Sequence, residues 1–389
     1  MASCSFFELV SVFLVLGATA FGGPANHIAL MESQLVRDRQ WLKREEFLDL
    51  LGAANLIPGP TSTELAMHIG YKMHGFAGLV AAGVSFILPA FCMVALISSL
   101  YLRFSQWPAV QAVLYGIKPV IVVIVFQAVL SLARTALKDK LLMAIALGSA
   151  MLFLLGISVP AILFGCGMTA CVWEFYKSSP PREIRAFRVI CIICAALLAV
   201  SLTVSRISAK DLLYTPSNLF LYFAKTGSLL YGGGYVLLAF LRGDLVENCH
   251  WLTSSQLLDA IAIGQITPGP FFITATFIGF MLGGFSGACI ATVGMFLPAF
   301  VFVAITAPLV KTIRSSRLAS TFLASASAAA VALMAVVLLQ MVADACYDFK
   351  GICIAAIALI LLFYRRVNPL WLMLGGAMAG LALNVGNCL

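Results

Sequence analysis

The sequence predicts an all-α polytopic membrane protein made of two homologous repeats, inverted relative to each other, with helices broken or re-entrant at Pro-Gly-Pro motifs. Three observations carry this. Of 389 residues, 62% are hydrophobic and only 10% charged, with a mean hydropathy of +1.04, whereas soluble domains average about 25% charged residues. Apolar runs recur from end to end, each of a length suited to a hydrocarbon core of roughly 30 Å. The third is an internal repeat. Phe21-Gly22-Gly23-Pro24 returns as Tyr231-Gly232-Gly233-Gly234, Trp41 as Trp251, Asp49 as Asp259, Asn55 as Gln265, and Pro58-Gly59-Pro60 as Pro268-Gly269-Pro270, each 210 positions on. Further along, Gly70, Gly75, Pro89 and Phe91 return as Gly279, Gly284, Pro298 and Phe300 at an offset of 209.

The elements follow in matched order. A first span covers about 6–22, or 217–231 in the second half, and a polar stretch carrying Trp41 or Trp251 follows. Phe6 to Ala20 imitates a signal peptide by ending in Ala18-Thr19-Ala20, but it lacks a basic leader and has a partner later in the chain, so it reads as a structural span. Interrupted segments occupy about 45–73 and 255–282. Proline removes a backbone donor there and glycine frees φ, so each helix must break. Long spans come next, at about 76–103 and 107–134, or 284–310 and 320–343. Shorter spans close each half, at about 140–156 and 159–176, or 350–364 and 369–387. An unpaired apolar segment at about 187–204 links the halves. The domains are therefore 1–178, a linker at 179–210, and 211–389.

Two topologies remain open. If each interrupted segment crosses as a broken helix, there are about thirteen crossings and the halves are inverted; as hairpins, they give about eleven and parallel halves. Lys and Arg fall with the same excess on one side under both schemes, so the positive-inside rule does not decide. Inverted repeats are common among secondary transporters, which favours the first.

Composition also excludes functions. The net charge of +8 sits in short loops, as at Arg37, Arg39, Lys43 and Arg44, which is the distribution of topology signals. A nucleic-acid surface would cluster such charge. Cys191 and Cys194 have CxxC spacing but lie in an apolar run with no second pair or histidine, so a metal or redox centre is not expected. No nucleophile–base grouping or metal-ligand spacing appears at matched positions, which argues against an intramembrane enzyme. The partners implied are the lipid bilayer and a small solute, with no cofactor, and self-association is left open.

Candidate binding residues cluster at the breaks, since paired interruptions in two halves are the best sequence pointer to a transporter site. The half-helix opened by Thr61 and Ser62 after Pro58-Gly59-Pro60 carries free N–H donors and a partial positive charge suited to an oxyanion. The competing reading is a proline kink whose hydroxyls cap their own helix. Asn55, Gln265 and Pro268-Gly269-Pro270 belong to the same pair of breaks, and Phe271 and Phe272 make the second break unlike the first. Gly22-Gly23-Pro24 and Gly232-Gly233-Gly234 permit close backbone approach to an anion, or tight helix packing. Lys118 and Lys225 are intramembrane cations without charged partners at their matched positions, Ser327 and Val15. Each is disfavoured facing lipid, so both join the anion site, with snorkelling as the alternative for Lys225. Glu64 is a proton-coupling candidate, and His27 a second polar group beyond the glycine break. A different transporter, for a cation or organic acid, would use Glu64, Asp49 and Asp259.

These motifs together resemble the chromate ion transporter family in its long two-domain form. The likeness rests on Phe21-Gly22-Gly23-Pro24 with His27, on Leu56-Ile57-Pro58-Gly59-Pro60-Thr61-Ser62-Thr63-Glu64, and on Leu88-Pro89-Ala90 with Leu297-Pro298-Ala299. The resemblance implies a cytoplasmic-membrane transporter that exports chromate, with sulfate as mimic or exchange anion, and is driven by the proton-motive force or by exchange. No GxxxxGK[ST] phosphate loop is present. The chain departs from the family pattern at Gly234, and at Ile57 and Thr267, where leucine is usual.

Overall fold

A computed structural model describes residues 4–55, 57–178, 214–230, 234–309 and 317–383. The expected linker helix at about 187–204, Cys191, Cys194, Gly232 and Gly233 lie outside them. Among the described residues there are fourteen α-helices and no strand.

The chain begins with two helical hairpins that enter from one face, here the near face, and turn back inside. Helix α1 (Phe6–Thr19) is only about 21 Å long at 1.5 Å per residue. It ends at Gly22, whose φ of +97° suits glycine, and α2 (Pro24–Glu32), extended by a π-turn at Ser33–Asp38, runs back. Arg39 closes the return with Nη1 3.0 Å from Glu8 Oε1. The second hairpin descends along α3 (Arg44–Ala54), breaks at Pro58-Gly59-Pro60, and ascends along the first arm, 61–73, of α4 (Thr61–Phe104). Its open end is fastened by Lys72 Nζ to Glu46 Oε1 at 2.6 Å, and that lysine holds the Glu46 carboxyl below its ordinary pKa. His74 Nε2 lies 3.0 Å from the Cys4 carbonyl oxygen, so the second hairpin ends beside the start of the first.

At His74 and Gly75 α4 reverses sharply. Gly75 takes φ +60°, ψ −146°, a conformation that only glycine holds at low cost. Gly70 and Gly78 then face each other so closely that a Cβ on either would strike the other's carbonyl oxygen. The second arm of α4 crosses to the far face, and α5 (Pro108–Ala136) crosses back. Helices α6 (Lys140–Leu154) and α7 (Val159–Ser178) follow.

The second half repeats this plan from the far face. Helix α8 (Pro216–Leu229) and α9 (Leu237–Phe240), the latter continued by a π-turn at Leu241–Asn248, make the third hairpin. Helix α10 (Ser254–Ile266) and the first arm of α11 (Thr274–Thr306) make the fourth, and α11 reverses at Gly284 (φ 61°, ψ −152°). Helices α12 (Arg317–Ala345), α13 (Phe349–Phe363) and α14 (Pro369–Leu383) complete it. The fourth hairpin lies among the far-face ends of α4 and α5: Tyr101 Oη donates to Asp259 at 2.9 Å, and Lys118 Nζ donates to Ser255 at 2.6 Å. The repeats are therefore inverted. Backbone detail repeats too, since Gln40 and His250, 210 apart, both hold φ +52°.

Re-entrant hairpins and inverted halves thus occur together, which neither expected topology allowed. The first spans account for this. They were expected to cross, but each stops after 14 residues and reaches only about half of a 40–45 Å membrane. Among the described residues four helices are long and apolar enough to cross: Thr61–Phe104, Pro108–Ala136, Phe271–Thr306 and Ser320–Ala345. Exposed Phe76, Leu96, Val293 and Leu339 give the exterior an apolar surface, as a lipid-facing protein requires.

The halves interlock. Within each half a matched contact holds the first helix, Gly17 on the Phe86 carbonyl and Gly227 on that of Met295, and the contacts between halves are of the same kind. Helices α13 and α14 of the second half lie on α5 of the first, where Gly116 meets Gly376 and Gly380. Reciprocally, α7 lies on α12, with Phe164 and Phe322 ring centroids 6.1 Å apart. Small residues at these crossings allow the close backbone approach on which helix packing in lipid depends.

Candidate functional site

The four hairpin tips meet inside the protein, and two reciprocal hydrogen bonds join them across the repeats. Gly59 N–H donates to the Leu230 carbonyl at 2.8 Å, and Gly269 N–H to the Ala20 carbonyl at 2.9 Å. Gly59 and Gly269 have φ of +141° and +98°, so each break depends on a residue without Cβ. Both glycine amides are spent on the interface between halves, and the donors left at the first break are those that open α4 at Thr61.

A cavity of about 1500 Å³ opens at this junction. Its floor is made by Gly22, Gly23 and Pro24 of the first tip, Asn55, Gly59 and Thr61 of the second, Gly234 and Tyr235 of the third, and Gln265 of the fourth. Its wall rises along α5 through Gln127 and Ser131 to Arg134 and Lys138 at the near face, and Arg366 stands at the α13–α14 turn. A Cβ on Gly23 would sit 3.9 Å from Tyr235 Oη, so the first and third tips face each other. No aspartate or glutamate is among the described residues lining it.

Several expected site residues lie elsewhere. Pro58 and Pro60 shape the first break from buried positions. Ser62 is buried and turned from the cavity, its Oγ 3.3 Å from His27 Nδ1. His27 is buried too; through Ser62 it joins the first hairpin to the second, and its ring lies edge-on to Phe86 on the second arm of α4, centroids 5.9 Å apart. The second break is closed: Pro268, Gly269 and Pro270 are buried, and Phe271 and Phe272, 6% and 3% exposed, cover it. It reaches the cavity only through Gln265. The expectation of two half-helix ends at one site is corrected: among the described residues only the end at Thr61 lines the cavity, because aromatic side chains stand where the first break has Thr61 and Ser62.

Lys118 and Lys225 are likewise outside the cavity lining, each beside a carboxylate. Lys118 Nζ is 3.1 Å from Asp259 Oδ1, an ion pair whose angle falls outside hydrogen-bond geometry, and Lys225 Nζ is 3.7 Å from Asp244 Oδ2. Asp259 lies on a helix remote in sequence and Asp244 on the returning arm of Lys225's own hairpin, and neither stands at the lysine's matched position in the repeat. Arg242 adds a further far-face tie, to Asp344 of α12, and also pairs with Glu247 in its own π-turn. The cavity opens on the near face while these ionic contacts tie the far-face elements together.

Behind the first break, Glu64 is fully buried and both carboxyl oxygens lack a hydrogen-bond partner among the described residues. A Cβ on Gly59 would strike Oε1. His68, one turn further along α4, is also buried with both ring nitrogens unpartnered. Sequence reasoning missed Tyr235, one residue past the glycine run, and Arg134, Lys138 and Arg366, which look like ordinary loop charges until the fold brings them to the rim of one cavity.

The sequence profile described as chromate transporter matches residues 7–172 and again 217–381. The chromate transport protein of Cupriavidus metallidurans is 31% identical over 96% of this chain and 92% of its own length. A probable chromate transport protein of Synechococcus elongatus is 32% identical over 91% and 88%. An uncharacterised transporter of Methanocaldococcus jannaschii is 26% identical over 93% and 90%. No solved structure matches the chain. With the profile falling once on each half, and with relatives above 30% identity aligned nearly end to end, this multi-pass membrane protein belongs to the chromate transporter family.

Proposed function

We propose that the protein is a secondary active transporter of a tetrahedral divalent oxyanion in the cytoplasmic membrane, moving chromate outward with sulfate as mimic or exchange anion. One observation carries this reading: a cavity that reaches the broken helix at Gly59 and Thr61 and has basic but no acidic residues among its described lining. Such a cavity repels no dianion, and the unpaired N–H groups at the start of α4 with the Thr61 hydroxyl offer fixed donors. Asn55, Gln265 and Tyr235 add neutral polar groups to the same cavity. The names of the relatives that transport chromate support the choice of substrate. The cation alternative loses support, because Asp259 is engaged by Lys118 and Tyr101, and neither Glu64 nor Asp49 lines the cavity.

Glu64 is assigned the coupling proton: an uncompensated buried carboxylate is costly, and protonation removes that cost. Alternating access follows from the inverted halves. The second and fourth hairpins exchange roles, one lining an open cavity while the other is held against α4 and α5 by Asp259. The test is chromate flux in proteoliposomes with and without a pH gradient. Saturable flux inhibited by sulfate and lost in Thr61→Val supports the reading. Flux of cations in preference to chromate overturns it.

A further inference from the structure

The basic residues at the cavity mouth carry an inference that rests on the oxyanion reading and extends it. Arg134 lies in the last turn of α5, Lys138 in the short connection to α6, and Arg366 at the turn between α13 and α14, so both halves contribute. All three are exposed, and all three line the one cavity. The Arg366 backbone is fixed in an uncommon conformation, φ +53°. The Val367 amide closes that turn on the Leu361 carbonyl at 3.3 Å, and Asn368 Oδ1 accepts from the Leu370 amide at 3.0 Å. The turn therefore presents Arg366 from a defined position. Asp139, next to Lys138, and Arg365, next to Arg366, do not line the cavity.

The matched far-face positions are neutral. At the offset of 209, which also pairs Asp139 with Asp348 and Pro160 with Pro369, Arg134 corresponds to Ala343, Lys138 to Tyr347 and Arg366 to Ile157. Of these matched positions only the near-face set carries charge.

We infer that Arg134, Lys138 and Arg366 form a near-face capture subsite for a tetrahedral dianion, which concentrates the solute at the mouth before it reaches the break at Gly59. A cleft of one charge sign with low-dielectric walls focuses its field and raises local counter-ion concentration, with on-rates 10- to 1,000-fold higher at low salt. The subsite acts on encounter rather than on turnover, and only from the near face.

The experiment uses the full chain in liposomes, cysteine-free except for Ala25→Cys on the cavity floor. Labelling from the near face is compared for an anionic and a cationic methanethiosulfonate reagent of similar size. The chain with native charges favours the anionic reagent at low ionic strength. The triple variant Arg134→Gln/Lys138→Gln/Arg366→Gln lowers that ratio about tenfold or more, with the difference shrinking in high salt, while Arg365→Gln leaves it unchanged. An unchanged ratio in the triple variant, or an equal loss in Arg365→Gln, overturns the inference. Because the readout needs no transported substrate, it stands apart from chromate flux: a protein that moves no chromate yet shows the charge-dependent ratio sinks the oxyanion reading alone. Where flux is present, the triple variant raises KM from the near face and leaves Vmax in place.

Discussion

Gly59 combines three roles that no other residue type fills. Its φ of +141° is closed to side chains, its amide bonds to Leu230 of the opposite repeat, and its missing Cβ leaves room for the Glu64 carboxyl. Strain of this kind costs on the order of 1–3 kcal/mol, and the collision with Glu64 adds to it. Gly59→Ala is expected to abolish chromate flux. Size-exclusion and thermal unfolding profiles separate loss of the site from loss of the fold, and an active Gly59→Ala protein would contradict the role given to the break. Glu64→Gln keeps the size of the side chain and removes its titration. It is expected to leave chromate–sulfate exchange intact while abolishing accumulation driven by a pH gradient, and gradient-driven uptake at the unmodified rate would remove Glu64 from coupling. The positions of the breaks were legible because proline and glycine act locally. The use of Gly59 N–H by Leu230 was not, since it depends on how two distant segments meet.

At the level of elements, the two lysines show how far matched positions can mislead. Lys118 and Lys225 stood out as intramembrane cations without partners, and the partners are Asp259 and Asp244, brought alongside only by the fold. Asp259, with a side chain 4% exposed, holds the fourth hairpin to both Lys118 and Tyr101. Removing one member of a fully buried pair costs about 3–5 kcal/mol. The cost here is smaller, because Lys118 keeps 18% exposure. Lys118→Met is expected to destabilise the near-open state and raise labelling of far-face cysteines, and Lys118→Met/Asp259→Leu to recover much of the stability while transport stays impaired. Equal far-face labelling in the unmodified and Lys118→Met proteins would rule out the pair as a far-face closure. The first and third hairpins were hidden for a related reason: an apolar run of 14 residues followed by glycine marks a helix end but not the direction the chain takes next.

For the whole molecule, duplication, class and order of elements were readable because the repeat preserves breakers and aromatic residues at constant offsets. The interlocking was not, since α13 and α14 exchange partners with α6 and α7 through glycine contacts that leave no periodic signal. Inversion of the halves predicts that cysteines at the matched exposed turns, Gln40→Cys and His250→Cys, react with an impermeant reagent from opposite sides of oriented vesicles. Reaction from one side would make the halves parallel. The claim on which the mechanism rests is narrower: a tetrahedral dianion settles at the first break, where the four tips meet. Protection of Ala25→Cys by sulfate tests it most directly, measured as the near-face labelling rate by a neutral reagent at constant ionic strength. The mechanism predicts that saturating sulfate slows labelling, that gluconate does not, and that Gly59→Ala abolishes the protection. Labelling that sulfate leaves unchanged, in a protein that still carries chromate, would place the anion elsewhere.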